Sequence, residues 1–296
     1  MWRTKDNSLK ITYLTRLICR LFLYITFSLL FALFIRIFLC DFFRVPSNSM
    51  NPVVIPGDFI LVEKWTYGAR ILTRYKFGRY QEPPATRMPG TGNIHRGDVV
   101  VFNFPYRECD DTLCMNLNLC LIKRCVGLAG DSLSIVNGCY HIVGLTDTAC
   151  NVSKQKKILS LNNRQEFSYM NIFPYDTAFH WDVINFGPLY IPAAGSSIPL
   201  TSRNYILFRK LIAYETSAEV CMKDSVVYIN NSLAQSYTFR ENWYFMAGDH
   251  TINSYDSRYF GLIPEKYVIG KALVILSSKE IHTGKTRWER MLKHIE

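Results

Sequence analysis

One apolar segment near the N-terminus limits what this chain can fold into more than any other feature. Residues 21–35, LFLYITFSLLFALFI, carry no charge, and apolar flanks extend the stretch to residues 17–39. As a helix, 17–39 would reach roughly 34 Å at ~1.5 Å per residue, which is enough to cross a bilayer. Arg20 and Arg36 lie near its ends, where they can reach the headgroups. The sequence therefore predicts an N-terminal transmembrane helix.

The flanks of this segment favour a retained anchor over a cleaved signal peptide. The apolar stretch is too long for a signal peptide, and no small-x-small cleavage site follows it. Residues 1–16 form a basic tail, which is typical of the cytoplasmic side of a membrane. We therefore expect a single-pass protein of the cell (inner or cytoplasmic) membrane. Its N-terminus would be cytoplasmic, and the bulk of the chain would lie on the outer, periplasmic or extracytoplasmic side.

The net charge of +10 is concentrated in three groups. They are the first twenty residues, the stretch 70–96 and the basic tail 279–296. No recognition motif accompanies the charge, so nucleic acid is not expected as a partner. Anionic lipid is the simpler partner, while the middle group is equally well explained as a solvated basic surface.

Nine cysteines do not form a metal-binding pattern. Cys109, Cys114, Cys120 and Cys125 cluster without CxxC pairs and without a nearby histidine, so neither a metal nor a cofactor is expected. For a domain outside the cytoplasm, one disulfide in this group and plain buried thiols both remain open.

Runs of β-branched and aromatic residues after residue 50 predict a mostly β fold. FILVEKW, DVVVFNF, SVVYIN and VIGKALVIL are each bounded by Gly, Pro, Asn or Asp. The stretch between Tyr67 and His95 is rich in proline and glycine and is predicted to be irregular. The segment 285–296 has apolar residues at helical spacing among basic ones. A short interfacial helix and a frayed terminus both fit that pattern.

Four segments beyond the anchor combine polar residues with strand-like sequence. They are VPSNSM at 45–50, RGDVVVF at 96–102, LIKRCVGLAGDSL at 121–133 and AGDHTINSYDSRYFGLIPEKYVIGKA at 247–272. Taken singly, Ser47 and Ser49 could be turn residues, and the Gly-Asp pairs could be turn signals. Lys123 is unusual because it interrupts an apolar strand, where alternation places it on one face with Cys125. Alone, it could be a surface lysine on an edge strand.

Together, in this order and behind an anchor, these segments resemble the signal peptidase I family, membrane proteases that use a Ser-Lys dyad to remove signal peptides. PSNSM is similar to the nucleophile segment, and IKRCVGLAGDSL is similar to the segment of the general base. The resemblance implies a β-rich Ser-Lys peptidase core over 42–134 and 245–278. A variable second β lobe at 135–244 would be inserted between the two parts.

The resemblance also implies a role for each matched residue. Ser49 corresponds to the nucleophile and Lys123 to the general base. Ser47 corresponds to the hydroxyl that forms an oxyanion hole with the backbone N–H of Ser49. Ser254 corresponds to the serine that hydrogen-bonds and orients the lysine amine.

The last segment carries a supporting pair and two departures from the family. Asp256 and Arg258 correspond to a polar pair near the site. Thr251 and Ile252 stand where many members have Arg and Asp, which removes a potential ion pair. His250 leaves a Ser-His arrangement as an alternative, although that would need an acidic partner.

A lysine acts as a base only when it is neutral, and its ordinary pKa is ~10.4. The apolar neighbours of Lys123 are suited to lowering that pKa by burial. The expected partners are preproteins that bear signal peptides, with small residues one and three positions before the cut, and the lipid bilayer. Two other functions share parts of the pattern: a self-cleaving Ser-Lys regulator, which would carry a DNA-binding unit instead of an anchor, and an anchored, non-catalytic β module.

Overall fold

The N-terminal apolar segment forms one long helix. The computed structural model describes residues 3–72, 83–107, 112–145 and 172–296. Helix α1 (Arg3–Phe34) continues into a π-helical turn, Ile35–Leu39. Within the described residues, Tyr13–Leu39 is the one segment long and apolar enough to cross a membrane, with a mean hydropathy of 2.3. Its large side chains are exposed, Phe27 to 71%. This confirms the predicted apolar helix, and α1 begins earlier than expected, within the basic tail.

Strands make up most of the rest of the described chain. In order they are β1 (Cys40–Arg44), β2 (Asp58–Glu63), β3 (Arg70–Leu72), β4 (Ala85–Arg87), β5 (Val99–Tyr106), β6 (Leu113–Gly127), β7 (Ser132–Val136), β8 (Cys139–Ile142), β9 (Phe186–Tyr190), β10 (Ser197–Pro199), β11 (Val220–Lys223), β12 (Val226–Ile229), β13 (Ser232–Leu233), β14 (Ser236–Thr238), β15 (Trp243–Ala247), β16 (Ile263–Pro264), β17 (Val268–Ser278) and β18 (Lys293–His294). The prediction of a mostly β fold is therefore confirmed.

The main sheet has the strand order β1-β2-β17-β5-β6-β15-β16, and β18 pairs with β17. One apolar cluster contains Val99 and Val101 of β5, with Ile122 of β6 packed against it. Another contains Val100 of β5 and Cys125 of β6. Neighbours on a strand therefore face different clusters, as the pleat requires.

Lys123 lies on β6, between β5 and β15, and pairs with Val100. Since paired residues share a face, Lys123 lies on the face that Val100 and Cys125 occupy. It is 3% exposed. The structure thus excludes the simple account of Lys123 as a surface residue on an edge strand.

The segment between the two parts of the main sheet builds smaller sheets: β8-β7-β9, β10-β14 and β11-β12-β13. It also contains helix α2 (Ser202–Thr216), which the sequence analysis did not anticipate. Thr201 caps α2 by accepting from Asn204 N–H, and Ser217 ends it in the left-handed region. One apolar cluster joins this part to Phe245 of β15. The division into a core and an inserted lobe at 135–244 stays a prediction.

Part of the stretch predicted to be irregular is regular: β3 pairs with β4 in an antiparallel ribbon. Two basic residues of that stretch, Arg70 and Arg87, make internal contacts. Arg87 donates to the backbone carbonyls of Gly68 and Glu265, at 2.9 and 3.0 Å. Arg70 donates to the carbonyls of Lys266 and Tyr267. These arginines tie the ribbon to the end of β16 and the start of β17; Arg74, Lys76 and Arg79 lie outside the described residues.

The C-terminal segment is neither an amphipathic helix nor a frayed end. A short 3₁₀ turn, Trp288–Arg290, precedes β18, which pairs with Val274 and Ile275 of β17. Ile295 is buried in the cluster that also holds Met50. Both expectations for 285–296 were wrong, because the contacts that order it come from distant parts of the chain.

Candidate active site

The loop between β1 and β2 carries Ser47 and Ser49. Its ends are joined by backbone hydrogen bonds, from Val45 N–H to the Asp58 carbonyl and from Gly57 N–H to the Val45 carbonyl, both at 2.9 Å. Inside the loop, Asn51 N–H donates to the Asn48 carbonyl. This hydrogen bond closes a tight turn that contains Ser49. Met50 is buried in the core beneath the loop. The polar Ser-Asn-Ser stretch is therefore an ordered loop and not a flexible stalk.

Ser49 and Lys123 are in contact although 74 residues separate them in the chain. Lys123 Nζ lies 2.7 Å from Ser49 Oγ, and the hydroxyl oxygens of Ser47 and Ser49 are 3.4 Å apart. Ser49 is 8% exposed, so little water competes for this contact. A hydroxyl in contact with a largely buried amine can transfer its proton when that amine is neutral.

Burial lowers the pKa of Lys123 to about 8, because the surroundings solvate the ammonium form poorly. The carboxylates of Asp256 and Asp249 oppose this shift by favouring the charged amine, while the guanidinium of Arg258 adds to it. The net effect is a lysine that is far easier to deprotonate than one in water. This matches the requirement that the sequence analysis placed on a lysine base.

Asp256 and Arg258 form a buried ion pair behind the dyad. Both side chains are fully buried. Arg258 Nε donates to Asp256 Oδ1 and Arg258 Nη2 donates to Asp256 Oδ2, both at 2.8 Å. Burial alone would raise the pKa of Asp256, but the adjacent Arg258 and the hydrogen bonds from Gly248 N–H and Ser254 outweigh it and hold that pKa below its usual range. The carboxylate charge also raises the pKa of Arg258. The pair therefore stays ionised and anchors short helix α3 (Ser257–Phe260), whose cap is Asp256.

Ser254 differs from its expected contact. The family resemblance implied a hydrogen bond between Ser254 and the Lys123 amine, but in the structure the Ser254 hydroxyl donates to Asp256 Oδ2 at 2.7 Å. A hydroxyl has one proton, and a buried carboxylate is a stronger acceptor than a lysine nitrogen. Ser254 is 6% exposed and belongs to the same buried group of polar side chains.

Gly248 is a residue of the site that the sequence analysis treated only as part of a turn signal. A Cβ at this position would overlap the Ser254 hydroxyl and would lie 2.6 Å from the Ser49 carbonyl oxygen. Gly248 therefore allows the Ser49 loop and the Ser254 segment to approach each other closely. The signal in the sequence, a glycine before Asp249, does not distinguish close packing from an ordinary turn.

His250 does not form the alternative dyad. Its backbone N–H donates to the Ser49 carbonyl at 3.0 Å, and its ring Nδ1 lies 3.3 Å from the Asn48 carbonyl. The side-chain nitrogen at the Ser49 hydroxyl is that of Lys123. Thr251, one of the two departures from the family, uses its backbone carbonyl to accept from Arg258 at 2.7 Å. The Asp256–Arg258 pair thus forms without the charged residues usual at 251 and 252.

The sequence left a disulfide and plain buried thiols open for the cysteines at 109–125. Cys120 and Cys125 carry free thiols, and burial raises the pKa of Cys125. Cys109 lies outside the described residues. In the part of the chain that the structure describes, no three or more His, Cys, Asp or Glu side chains are grouped to hold a metal ion.

Comparison with known families identifies the chain. The family model for "Signal peptidase, peptidase S26" matches residues 18–277, which include the anchor, the Ser49 loop and Lys123. The chain belongs to the signal peptidase family. It is accordingly a serine peptidase, and the resemblance seen in the four segments is confirmed.

Individual relatives support the same assignment along nearly the whole chain. The chain is 30% identical to signal peptidase I of Buchnera aphidicola subsp. Baizongia pistaciae over 281 residues, which are 90% of this chain and 79% of that protein. It is 27% identical to signal peptidase I of Aquifex aeolicus, over 86% of this chain and 82% of the relative. Signal peptidase I of Pseudomonas aeruginosa is also 27% identical, over 85% of this chain and 70% of the relative.

Proposed function

We propose that this chain is a membrane-bound serine endopeptidase that removes N-terminal signal peptides from exported preproteins, with Ser49 as the nucleophile and Lys123 as the general base. The observation that carries the proposal is the 2.7 Å contact between the Ser49 hydroxyl and a buried amine whose pKa is lowered to about 8. Family membership supports the reaction, and the geometry supports the assignment of roles.

The first half of the reaction follows from that contact. The neutral amine of Lys123 accepts the Ser49 proton while Oγ attacks the carbonyl carbon of the scissile bond. As the tetrahedral intermediate collapses, the Lys123 ammonium gives its proton to the leaving amine, and an ester between Ser49 and the signal peptide remains. In the second half, Lys123 takes a proton from water as the water oxygen attacks the ester carbon. When the second intermediate collapses, the bond between Ser49 Oγ and that carbon breaks, the Lys123 ammonium returns the proton to Oγ, and the signal peptide leaves with a new carboxylate.

The negative oxygen of the intermediate needs donors placed in advance. The Ser47 hydroxyl oxygen is 3.4 Å from Ser49 Oγ, so the two hydroxyls are neighbours in the loop. Together with the Ser49 backbone N–H, it would stabilise the oxyanion, and one such donor typically contributes ~10²–10³ in rate. Ser254, Asp256 and Arg258 act as a supporting group that holds the Lys123 side of the site in place.

The position of the site relative to the membrane supports preproteins as substrates. Strand β1 follows the membrane helix directly, and the Ser49 loop follows β1. Ser49 would therefore lie close to the outer surface of the cell membrane, where the apolar part of a signal peptide ends. An extended peptide could add to an exposed strand edge at the site, and the family resemblance implies small residues one and three positions before the cut.

The decisive experiment compares purified full-length chain with its Ser49→Ala variant on a preprotein. Wild type should release the mature protein, and Ser49→Ala should release none while keeping its circular dichroism spectrum and melting temperature. Ser232→Ala, a change at an exposed serine of β13, is the matched control and should cleave like wild type. Continued cleavage by Ser49→Ala would exclude this nucleophile, and inactivity of the folded wild type on preproteins would favour the anchored, non-catalytic module.

A further inference from the structure

The membrane helix is joined to the main sheet without a flexible linker. The π-helical turn Ile35–Leu39 ends where β1 begins, and the Leu39 carbonyl accepts from Lys64 N–H at 2.8 Å. Strand β1 then pairs with β2 along its whole length, from Cys40 opposite Glu63 to Arg44 opposite Phe59. The end of the helix is therefore held by the same strand pair that leads to the Ser49 loop.

The Lys64 side chain closes this junction. Its Nζ donates to the Arg36 carbonyl at 2.8 Å and to Asp41 Oδ2 at 3.2 Å, with the Lys64 side chain 11% exposed. Carbonyls in the last turn of a helix lack intrahelical donors, and a cation there also complements the helix dipole. Lys64 supplies both, so it is tied to the helix through Arg36 and to β1 through Asp41.

The connection continues from the junction to the nucleophile. The loop that holds Ser49 is closed on the ends of β1 and β2 by Val45 and Asp58. Five residues of β1 span about 17 Å at ~3.4 Å per residue. Because each step is hydrogen-bonded, the height of Ser49 above the helix end is set by the fold rather than by a mobile tether.

We propose that Lys64 is a positioning residue that holds the active site at a set height above the membrane and so selects preproteins by the spacing between their apolar segment and their cleavage site. The proposal rests on the proposed function, since it concerns signal peptides presented by the bilayer. Moving a cleavage site by two extended residues shifts the scissile bond by about 7 Å. A site held at one height distinguishes such substrates, whereas a site that tilts on a loosened helix reaches several of them.

The experiment uses full-length enzyme in proteoliposomes and preproteins with two, four or six residues inserted between the apolar segment and the cleavage site. Wild type should show a sharp optimum. Lys64→Met keeps the length of the side chain but removes its charge and its donors, and should flatten the profile, with about a tenfold smaller ratio between best and worst substrate. A short soluble peptide, which the bilayer does not position, should be cleaved equally by both. Lys266→Met, which removes a partly exposed ion pair with Glu241, is the control and should keep the sharp optimum.

Two results would overturn the role of Lys64. If cleavage by Lys64→Met depended on substrate length as it does in wild type, the Lys64 contacts would not set the height of the active site. Equal loss on the soluble peptide and on every preprotein would show that Lys64 supports the folded sheet instead. Failure of the proposed function is a separate result: the Ser49→Ala variant would still cleave the soluble peptide.

Discussion

Burial of Lys123 makes its ammonium form lose a proton more easily, which the proposed role of general base requires. The amine loses solvation when it is ionised, and the nearby carboxylates of Asp256 and Asp249 recover only part of that loss. The result is a pKa of about 8, against an ordinary value of 10.5. The chemistry of this residue therefore depends on its surroundings and not on its type alone.

The dependence of activity on pH follows from this pKa. The neutral amine is the active form, so kcat/KM should rise with pH, about tenfold per pH unit well below pH 8, and level off above it. At pH 6, near 1% of the amine is neutral, and kcat/KM should be about 10²-fold below the plateau. Initial rates on a soluble peptide from pH 5.5 to 9.5 measure this. A rate that is flat over this range, or that falls as pH rises, would contradict a lysine base with this pKa.

Gly248→Ala tests the close approach of the two segments at the site. The added methyl group would overlap Ser254 and press on the Ser49 carbonyl, so the dyad should be displaced, with kcat/KM lowered about 10²-fold. Overpacking should also reduce stability by about 1–3 kcal/mol. Gly92→Ala is the control, because its Cβ would meet only Thr66, at an ordinary 3.4 Å. The kinetics and thermal unfolding of both variants are the measurements. Wild-type kinetics in Gly248→Ala would show that the site does not need a glycine at position 248.

At the scale of elements, the C-terminal segment supports the loop that carries Ser49. Arg290 donates to both carboxylate oxygens of Asp58, at 3.1 and 2.7 Å, and to the Val53 carbonyl at 3.0 Å. Asp58 is fully buried and stands where the loop joins β2. Ile295, two residues after β18 begins, is buried in the core under Met50. The tail therefore braces the Ser49 loop through Arg290 and through the core that Ile295 shares with Met50.

Arg290→Met should destabilise the protein by about 3 kcal/mol, because it leaves the buried Asp58 carboxylate without its cation. Arg240→Met, at an exposed arginine, should change stability by less than ~0.5 kcal/mol. Urea unfolding of both variants gives the comparison. Adding Asp58→Asn to Arg290→Met should recover part of the loss, since the unpaired charge is then gone. Equal stability of Arg290→Met and wild type would show that the tail does not brace the loop.

Some of these elements could be predicted from the sequence and others could not. The apolar helix and the main strands carry strong local patterns, so 17–39 and runs such as DVVVFNF were interpreted correctly. Helix α2 was missed because its neighbours are strand-like and its cap, Thr201, is a common residue. The tail was misjudged because apolar residues at helical spacing also fit a strand held by Arg290.

At the scale of the whole molecule, the apolar N-terminal helix and the main sheet that carries the candidate site are joined without a break. The hydrogen bond from Lys64 to the Arg36 carbonyl and the pairing of β1 with β2 leave no loose segment between Leu39 and the sheet. This arrangement suits an enzyme whose substrate is also held by the bilayer.

The proposed orientation can be tested by protease protection. Spheroplasts expose the outer face of the cytoplasmic membrane. Protease added to them should digest the folded domain and leave a fragment that contains α1, detected through an N-terminal tag. In inside-out vesicles, the domain should be protected and the tag removed. Protection of the domain in intact spheroplasts would reverse the proposed orientation.

The amino-acid sequence alone determined the anchor, the strand-rich character and the order of the segments that carry Ser49, Lys123 and Asp256, because each is a local pattern of apolar spacing or of neighbouring residues. Only the tertiary structure decided which of these groups meet. The contact between Ser49 and Lys123, the turn of the Ser254 hydroxyl toward Asp256, and the need for glycine at 248 all depend on chain segments far apart in sequence. Packing of the whole chain brings those segments within hydrogen-bond distance. A local sequence pattern does not specify which distant segments will come into contact.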